Sequence, residues 1–208
     1  MSEHTTALTV DNGCYHLIDP ATTQPLLYHT GTGGLVGVLG DGAACVCTGT
    51  LTGYVRVTVL PAQEPPPADV TAWEDIVEVT FTSPSGRFRP AAPEAALLPD
   101  LASAGPGLYR LRVHTRGRDA GHRAEAVDNL DEIAEEHLII SWPNTDTEAE
   151  TIIQTKDAFG AHLRTHPSDP ATMPPLNAPM AGGGVDISGG EARATGMNLD
   201  STRCIRFD

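Results

Sequence analysis

The basic residues with the most regular spacing in this chain lie in one segment, residues 107–119, which reads GLYRLRVHTRGRD. Apolar or small residues alternate with larger basic ones, and this pattern predicts a strand, because side chains alternate between its two faces. One face then carries Tyr109, Leu111, Val113 and Thr115. The other carries Leu108 and four basic residues that we call the arginine face: Arg110, Arg112, His114 and Arg116.

Two interpretations of the arginine face are open. A guanidinium group is a planar fork that fits a carboxylate or a phosphate, so neighbouring arginines about 7 Å apart on one face predict a binding site for an anionic ligand. The alternative is internal pairing. Residues 107–123 hold five arginines and one aspartate, whereas residues 124–150 hold nine acids and no lysine or arginine. Ion pairs between these two blocks, and with Glu78 on another predicted strand, explain the same pattern, and we favour them.

The histidines do not define a catalytic site. His114 lies between Arg112 and Arg116, which favour the neutral ring and would suit a general base. The sequence offers no G-x-S-x-G elbow or comparable nucleophile motif to go with it. His162 and His166 have the spacing of a metal-binding pair on a helix, but Leu163 stands where an H-E-x-x-H motif requires glutamate. We therefore assign no catalytic residue.

The four cysteines are Cys14, Cys45, Cys47 and Cys204, and the cytoplasm predicted for this chain would keep their thiols reduced. Cys45 and Cys47 would share one face of a strand and could join Cys14 or Cys204 around a metal. Zinc-binding cysteine pairs usually have two to four residues between them, however, and small buried thiols are the commoner case. The sequence thus predicts reduced cysteines, no metal and no cofactor.

The charge of the chain restricts the kinds of partner. Its formal net charge is −14, which disfavours direct binding to nucleic acid and to anionic membranes. An acidic surface instead attracts a basic protein. The acids of the block that follows the arginine face are the predicted partner-binding residues: Asp131, Glu132, Glu135 and Glu136.

The first 143 residues show the spacing of a β protein. Short alternating runs such as 54–60, 73–82 and 137–142 are separated by Gly, Pro, Asn and Asp turns, and no long amphipathic helix interrupts them. Asp11-Asn12-Gly13 and Gly40-Asp41-Gly42 are tight turns between predicted strands. The fold class predicted is mainly β, an antiparallel β-sandwich or a partly open barrel, with a C-terminal helix and an irregular extension.

Three segments are predicted. Residues 1–143 form the β domain, residues 144–166 a helical segment whose helix spans 147–166, and residues 167–208 an extension rich in proline and glycine with a terminal strand at 202–207. The first residues, MSEHTTALTV, lack the pattern of a secretory signal, and no apolar run is long enough for a membrane helix. These features predict a cytoplasmic protein.

A longer motif gives one partial resemblance. The chain resembles a family of small uncharacterised actinobacterial proteins in four places: the strand 109–114, Gly117-Arg118-Asp119, the acids before His137, and Trp142-Pro143. In that family a YRVRVHARGRD strand is followed by an acidic loop and a closing E-x-Y-L-x-x-x-W-P strand. The resemblance covers about residues 50–143 and departs at His137, where the family has an aromatic residue. It implies a compact β domain in a bacterial cytoplasm and no particular activity.

Three functions remain open at this point. The first is a non-enzymatic interaction protein, such as an acidic inhibitor or immunity-type protein that binds a basic nuclease or toxin. The second is a structural subunit, in which residues 167–208 wrap a neighbouring copy and form a homo-oligomer. The third is an anionic-ligand or enzyme site on the arginine face.

Overall fold

The computed structural model describes residues 3–124 and 126–166 of the chain. In that part, two β-sheets pack face to face around one core, with two short helices. In chain order the elements are β1 (His4–Val10), β2 (Cys14–Ile18), β3 (Val36–Gly40), β4 (Ala43–Cys47), β5 (Thr52–Pro61), β6 (Asp75–Ser83), β7 (Arg89–Pro90), β8 (Gly107–Arg116), α1 (Arg118–Ala124), β9 (Ala126–Val127), β10 (Glu136–Asn144), β11 (Thr151–Gln154) and α2 (Ala158–Thr165), with 3₁₀ turns at Pro93–Leu97 and Leu130–Glu132.

The larger sheet has the strand order β1-β5-β10-β8-β6-β11, with β9 added beside β5, and the smaller sheet has the order β3-β4-β2-β7. The predicted mainly β, two-sheet architecture is therefore confirmed. Most neighbouring strands are antiparallel, but β5 and β10 run parallel. That pair joins strands far apart in sequence, because the chain between them contributes β6 and β8 to the same sheet.

The predicted Asp11-Asn12-Gly13 turn is present, but the two strands that it joins do not pair with each other in a hairpin. Asn12 and Gly13 have φ angles of 56° and 69°, the left-handed values that tight Asn-Gly turns need. The strand before the turn, β1, pairs with β5 of the larger sheet. The strand after it, β2, pairs with β4 of the smaller sheet. The turn thus carries the chain from one layer of the sandwich to the other.

The core lies between the two sheets and is built by alternating apolar residues. The larger sheet contributes Val55, Val57 and Val59 of β5 together with the predicted inner face of β8, all of them buried. Tyr15 and Leu17 of β2 pack against them from the smaller sheet. Each buried aliphatic or aromatic side chain of this kind stabilises the fold by about 1.5–3 kcal/mol. Because these residues of β8 face the core, the arginine face lies on the opposite side of the larger sheet.

The segment 144–166 differs from the prediction. Residues Thr151–Gln154 form β11, which adds an antiparallel edge strand to β6, and the helix is limited to Ala158–Thr165. The β-branched run Thr151-Ile152-Ile153 explains the strand, since such residues prefer extended backbone. Asp157 caps α2 by accepting a hydrogen bond from the Gly160 amide. The terminal strand predicted at 202–207 lies outside the described residues.

Candidate functional site

Arg110, the first residue of the arginine face, is almost completely enclosed. Its side chain is 2 % exposed, and all five of its N–H groups donate hydrogen bonds. Glu78 accepts from Nε at 3.2 Å, and the Thr151 hydroxyl accepts from Nη2 at 2.8 Å. The remaining acceptors are the Thr80 hydroxyl and the carbonyls of residues 148 and 149. Arg110 has no N–H group left for a ligand.

Arg112 shares the same carboxylate. Its Nε donates to Glu78 Oε1 at 2.6 Å, and its Nη1 donates to the Pro66 carbonyl at 2.6 Å. The guanidinium carbon lies 4.9 Å from the ring centroid of Trp142, a cation–π distance. Glu78 therefore bridges Arg110 and Arg112, as the sequence suggested for a cross-strand partner, and it removes the repulsion between the two arginines.

His114 and Arg116 complete the arginine face. His114 is buried beside Trp73 and donates from Nδ1 to the Leu138 carbonyl at 3.2 Å. Its pKa is lowered to about 4, mainly by burial and to a smaller extent by the nearby Arg112 charge. The ring is therefore neutral, as the sequence predicted, but burial is the main reason. Arg116 is half exposed and pairs with Glu136 at 2.6 Å.

The arginine face is thus covered rather than open to solvent, which the sequence did not show. Loop residues 66–73 and 148–150, together with Thr151 at the start of β11, lie over it and accept half of its hydrogen bonds. A nearby cleft of about 350 Å³ contains Thr80 in its wall, but its rim carries the carboxylates of Glu148 and Glu150. These acids oppose an anionic ligand there. Ligand binding on the arginine face stays a prediction. A ligand there would have to displace the internal hydrogen-bond partners of these side chains.

A second buried cation, Arg118, was not singled out by sequence reasoning. It lies at the start of α1, is fully buried, and joins two carboxylates: Asp157 at 2.7 Å from Nε and Asp75 at 2.8 Å from Nη2. Burial disfavours its charge, but the two carboxylates outweigh this effect and raise the pKa of Arg118. We call Arg118, Asp75 and Asp157 the Arg118 clamp. Through Arg118, Asp75 of the larger sheet is joined to Asp157, the N-cap residue of α2.

Glu135 is the acid whose position differs most from the prediction. It is 1 % exposed and therefore does not belong to a contact surface. Its carboxylate accepts hydrogen bonds from the amides of Gly49 and Thr50, at 3.0 and 2.7 Å, and from His137 Nε2 at 2.9 Å. The pKa of Glu135 is lowered, because these donors outweigh burial, which acts in the opposite direction. The Tyr15 hydroxyl completes the network by donating to His137 Nδ1 at 3.0 Å.

The other predicted partner-binding acids divide into two groups. Glu136 is half buried and already paired with Arg116. Asp131 and Glu132 are exposed on the 3₁₀ turn between β9 and β10. The exposed residues of this turn, which we call the acidic turn, are Asp128, Asn129, Leu130, Asp131 and Glu132.

The acidic turn combines charge with an apolar side chain. Leu130 is 53 % exposed, and Leu97, at 84 %, is the more exposed leucine among the described residues. Among residues 3–124 and 126–166, no base forms an ion pair with Asp128, Asp131 or Glu132. The turn is nevertheless ordered locally, since Asn129 Oδ1 accepts a hydrogen bond from the Asp131 amide at 3.2 Å. Its charges are available to another molecule.

One group of side chains has the composition of a metal site. The ligand atoms of Cys14, His16 and Cys45 all lie within 4.8 Å of one another, and all three residues are buried. The sequence predicted buried thiols here and no metal. It did not reveal His16, because the pairing of β2 with β4 was not known.

The described residues thus define a two-sheet β protein whose buried charged side chains are internally bonded and whose exposed turn is acidic. Neither a family model nor a curated protein matches the sequence. A solved structure titled "Crocagin biosynthetic gene J" is 13 % identical over 70 % of this chain and 100 % of that chain, with a TM-score of 0.42. ComJ from Bacillus subtilis, described as an inhibitor of the DNA degrading activity of NucA, is 14 % identical over 68 % and 96 %, with a TM-score of 0.43. Both TM-scores are below 0.5, so neither likeness assigns a function to this chain.

No helix in the described part of the chain is long and apolar enough to cross a membrane.

Proposed function

We propose that this chain is a non-enzymatic protein-interaction module that binds a basic protein through the acidic turn. The observation that carries the proposal is the exposure of Leu130 between carboxylates that no base of the described chain neutralises. An apolar residue surrounded by polar ones is the usual arrangement of a protein–protein contact, with a dry centre and a wet rim. Leu130 supplies the centre, and Asp128, Asp131 and Glu132 supply the rim.

The strands on either side of the acidic turn hold it in place, which favours binding of a partner without a large rearrangement. Before it, β9 pairs with β5 through Gly53 and Val127, and after it β10 lies inside the larger sheet. The two ends are therefore fixed, and the Asn129 cap orders the middle. A surface that is ordered before binding loses less conformational entropy when the partner arrives.

The net charge of −14 supports a basic partner. Opposite charge speeds the diffusional encounter and selects against acidic partners. A nuclease or a toxin that acts on nucleic acid has a basic surface for phosphate groups. An acidic turn that occupied such a surface would make this chain an inhibitor or immunity-type protein.

The interior polar groups favour a structural role for the residues that otherwise look catalytic. Arg110, Arg118 and His137 are buried, and each is held by internal hydrogen bonds. A substrate would need access to at least one of them. These residues instead stiffen the scaffold that presents the acidic turn.

The test is affinity capture from the host lysate with the tagged full-length chain as bait, followed by mass-spectrometric identification. The doubly charge-reversed variant Asp131→Lys/Glu132→Lys is compared with Glu3→Lys/Glu64→Lys, which makes the same change in net charge at two other exposed positions. We expect wild type and the control to retain a stoichiometric basic protein that the turn variant loses, with recovery falling as salt increases. Equal recovery by both variants, or a partner without a basic surface, would refute the proposal.

A further inference from the structure

The outer face of the smaller sheet carries four sulfur and nitrogen donors in a compact array. Cys14 and His16 are alternate residues of β2, and Cys45 and Cys47 are alternate residues of β4. The strand register places Cys14 directly opposite Cys47, and His16 directly opposite Cys45. All four side chains therefore emerge on the same face, opposite the one that Tyr15 contributes to the main core.

A separate apolar cluster covers this array. Phe159 and Leu163 of α2 pack on the three cysteines, together with the partly buried Tyr28 and Leu39. The three cysteines are 0–3 % exposed and His16 is 7 % exposed. The Arg118 clamp holds α2 in this position through Asp157. The donors are thus enclosed between the smaller sheet and α2, which the Arg118 clamp holds in place.

The distances suit a single small ion. The donor atoms of Cys14, His16 and Cys45 lie within 4.8 Å of one another, and the Cys47 thiol donates to the His29 carbonyl at 3.6 Å. Donors on one tetrahedral zinc ion are about 3.5–3.8 Å apart, given Zn–S and Zn–N bonds of about 2.3 and 2.0 Å. Side-chain rotations that shorten the present separations by about 1 Å would bring the three donors onto one ion.

The hydrogen bond of His16 prepares the ring for a metal. Its Nε2 lies 3.0 Å from the Leu27 carbonyl, which can only accept, so Nε2 must carry the proton. The lone pair then belongs to Nδ1. Burial also lowers the pKa of His16, which keeps the ring neutral. A backbone carbonyl that fixes the tautomer in this way is the usual outer partner of a metal-binding histidine.

We propose that Cys14, His16 and Cys45 bind a thiolate-preferring d¹⁰ metal ion, Zn²⁺ or Cu⁺, with Cys47 opposite Cys14 on the same face of the sheet. Thiolate and imidazole together select these ions over Mg²⁺ or Ca²⁺. Binding through two thiols forms two metal–sulfur bonds and one metal–nitrogen bond and releases two thiol protons to solvent, without electron transfer. The ion would join β2 to β4 beneath the overlying helix α2.

The test uses the full-length chain under a reductant that does not bind metal. Because the site is closed, the chain is unfolded, refolded with Zn²⁺ or Cu⁺ in slight excess, and freed of loose metal before elemental analysis. Wild type is compared with Cys45→Ser and with Cys204→Ser, which keeps the number of thiols equal to that of Cys45→Ser. We expect one ion per chain in wild type and in Cys204→Ser, less than a tenth of that in Cys45→Ser, and a higher Tm in the loaded proteins.

A second measurement keeps the proposal testable if Cys45→Ser fails to fold. Wild type and Cys204→Ser are refolded with Co²⁺, whose absorption spectrum shows directly whether thiolates bind it. We expect thiolate–cobalt bands in both proteins, and their displacement by one equivalent of Zn²⁺. The absence of zinc, copper and cobalt binding in refolded wild type would overturn the proposal, as would full metal retention by Cys45→Ser or its loss in Cys204→Ser.

Discussion

The Arg118 clamp makes a prediction about stability that can be given a magnitude. Replacing Arg118 with alanine removes a fully buried guanidinium group and leaves Asp75 and Asp157 without their shared cation. Asp75 retains Arg164 at 3.0 Å, but Asp157 loses both bonds from Arg118 and is buried. Removing one partner of a buried ion pair typically costs about 3–5 kcal/mol. We expect a loss in the upper half of that range, because two carboxylates are affected.

Arg116→Ala is the matched control, since it removes an arginine two residues away whose side chain is 46 % exposed. Exposed ion pairs contribute about 0–1 kcal/mol. Urea unfolding followed by circular dichroism measures both variants. With an m-value of about 2 kcal/mol/M, Arg118→Ala should lower the midpoint by about 2 M, and Arg116→Ala by no more than about 0.5 M. Equal midpoints for the two variants would show that the clamp does not stabilise the fold as argued.

Three further predictions concern single residues. Glu78→Gln should destabilise the fold by about 2–4 kcal/mol in urea unfolding, because it leaves Arg110 and Arg112 buried without their carboxylate; a loss below about 0.5 kcal/mol would contradict this. The pKa of His114 in the folded chain is about 4, so the unfolded chain binds more protons between about pH 6.5 and 4, and the free energy of unfolding should fall with decreasing pH in this window by up to about 1.4 kcal/mol per pH unit. His114→Gln should flatten this slope. An NMR titration of His114 with a midpoint above pH 6 would contradict the prediction. Leu130→Ala should leave the urea midpoint unchanged, because Leu130 is 53 % exposed, while weakening partner capture; a large loss of stability would mean that Leu130 serves the fold instead.

The elements that the sequence predicts well are those whose pattern is local. The alternation in residues 107–116 correctly separates the core face of β8 from the arginine face, and Glu78 is correctly predicted as a partner of that face. The two glycine-containing turns also lie where they are predicted. In each case the information is contained in a few consecutive residues.

The features that could not be predicted depend on contacts between distant parts of the chain. Asp75 and Asp157 reach Arg118 from 43 and 39 residues away, so the clamp has no local signal. The covering of the arginine face by loops near Pro66 and Glu148 is of the same kind. In the sequence, nothing distinguishes the buried Glu135 from the exposed acids of the same block.

The strand pairing explains why Glu135 is buried. Its neighbour His137 is paired in register with Val57 of β5 and points into the protein. Glu135 shares this side of the strand through the two-residue alternation. The parallel pairing of β5 with β10 was therefore the missing information.

The most direct test of the proposed function is the rate of association between the full-length chain and the basic protein that it captures, measured at several ionic strengths. For wild type and for Glu3→Lys/Glu64→Lys we expect fast association that slows steeply with added salt. For Asp131→Lys/Glu132→Lys we expect association at least tenfold slower at low salt, with a flatter salt dependence. If the turn variant associates as fast as the control at every salt concentration, the acidic turn does not contact the partner and the proposed function is wrong.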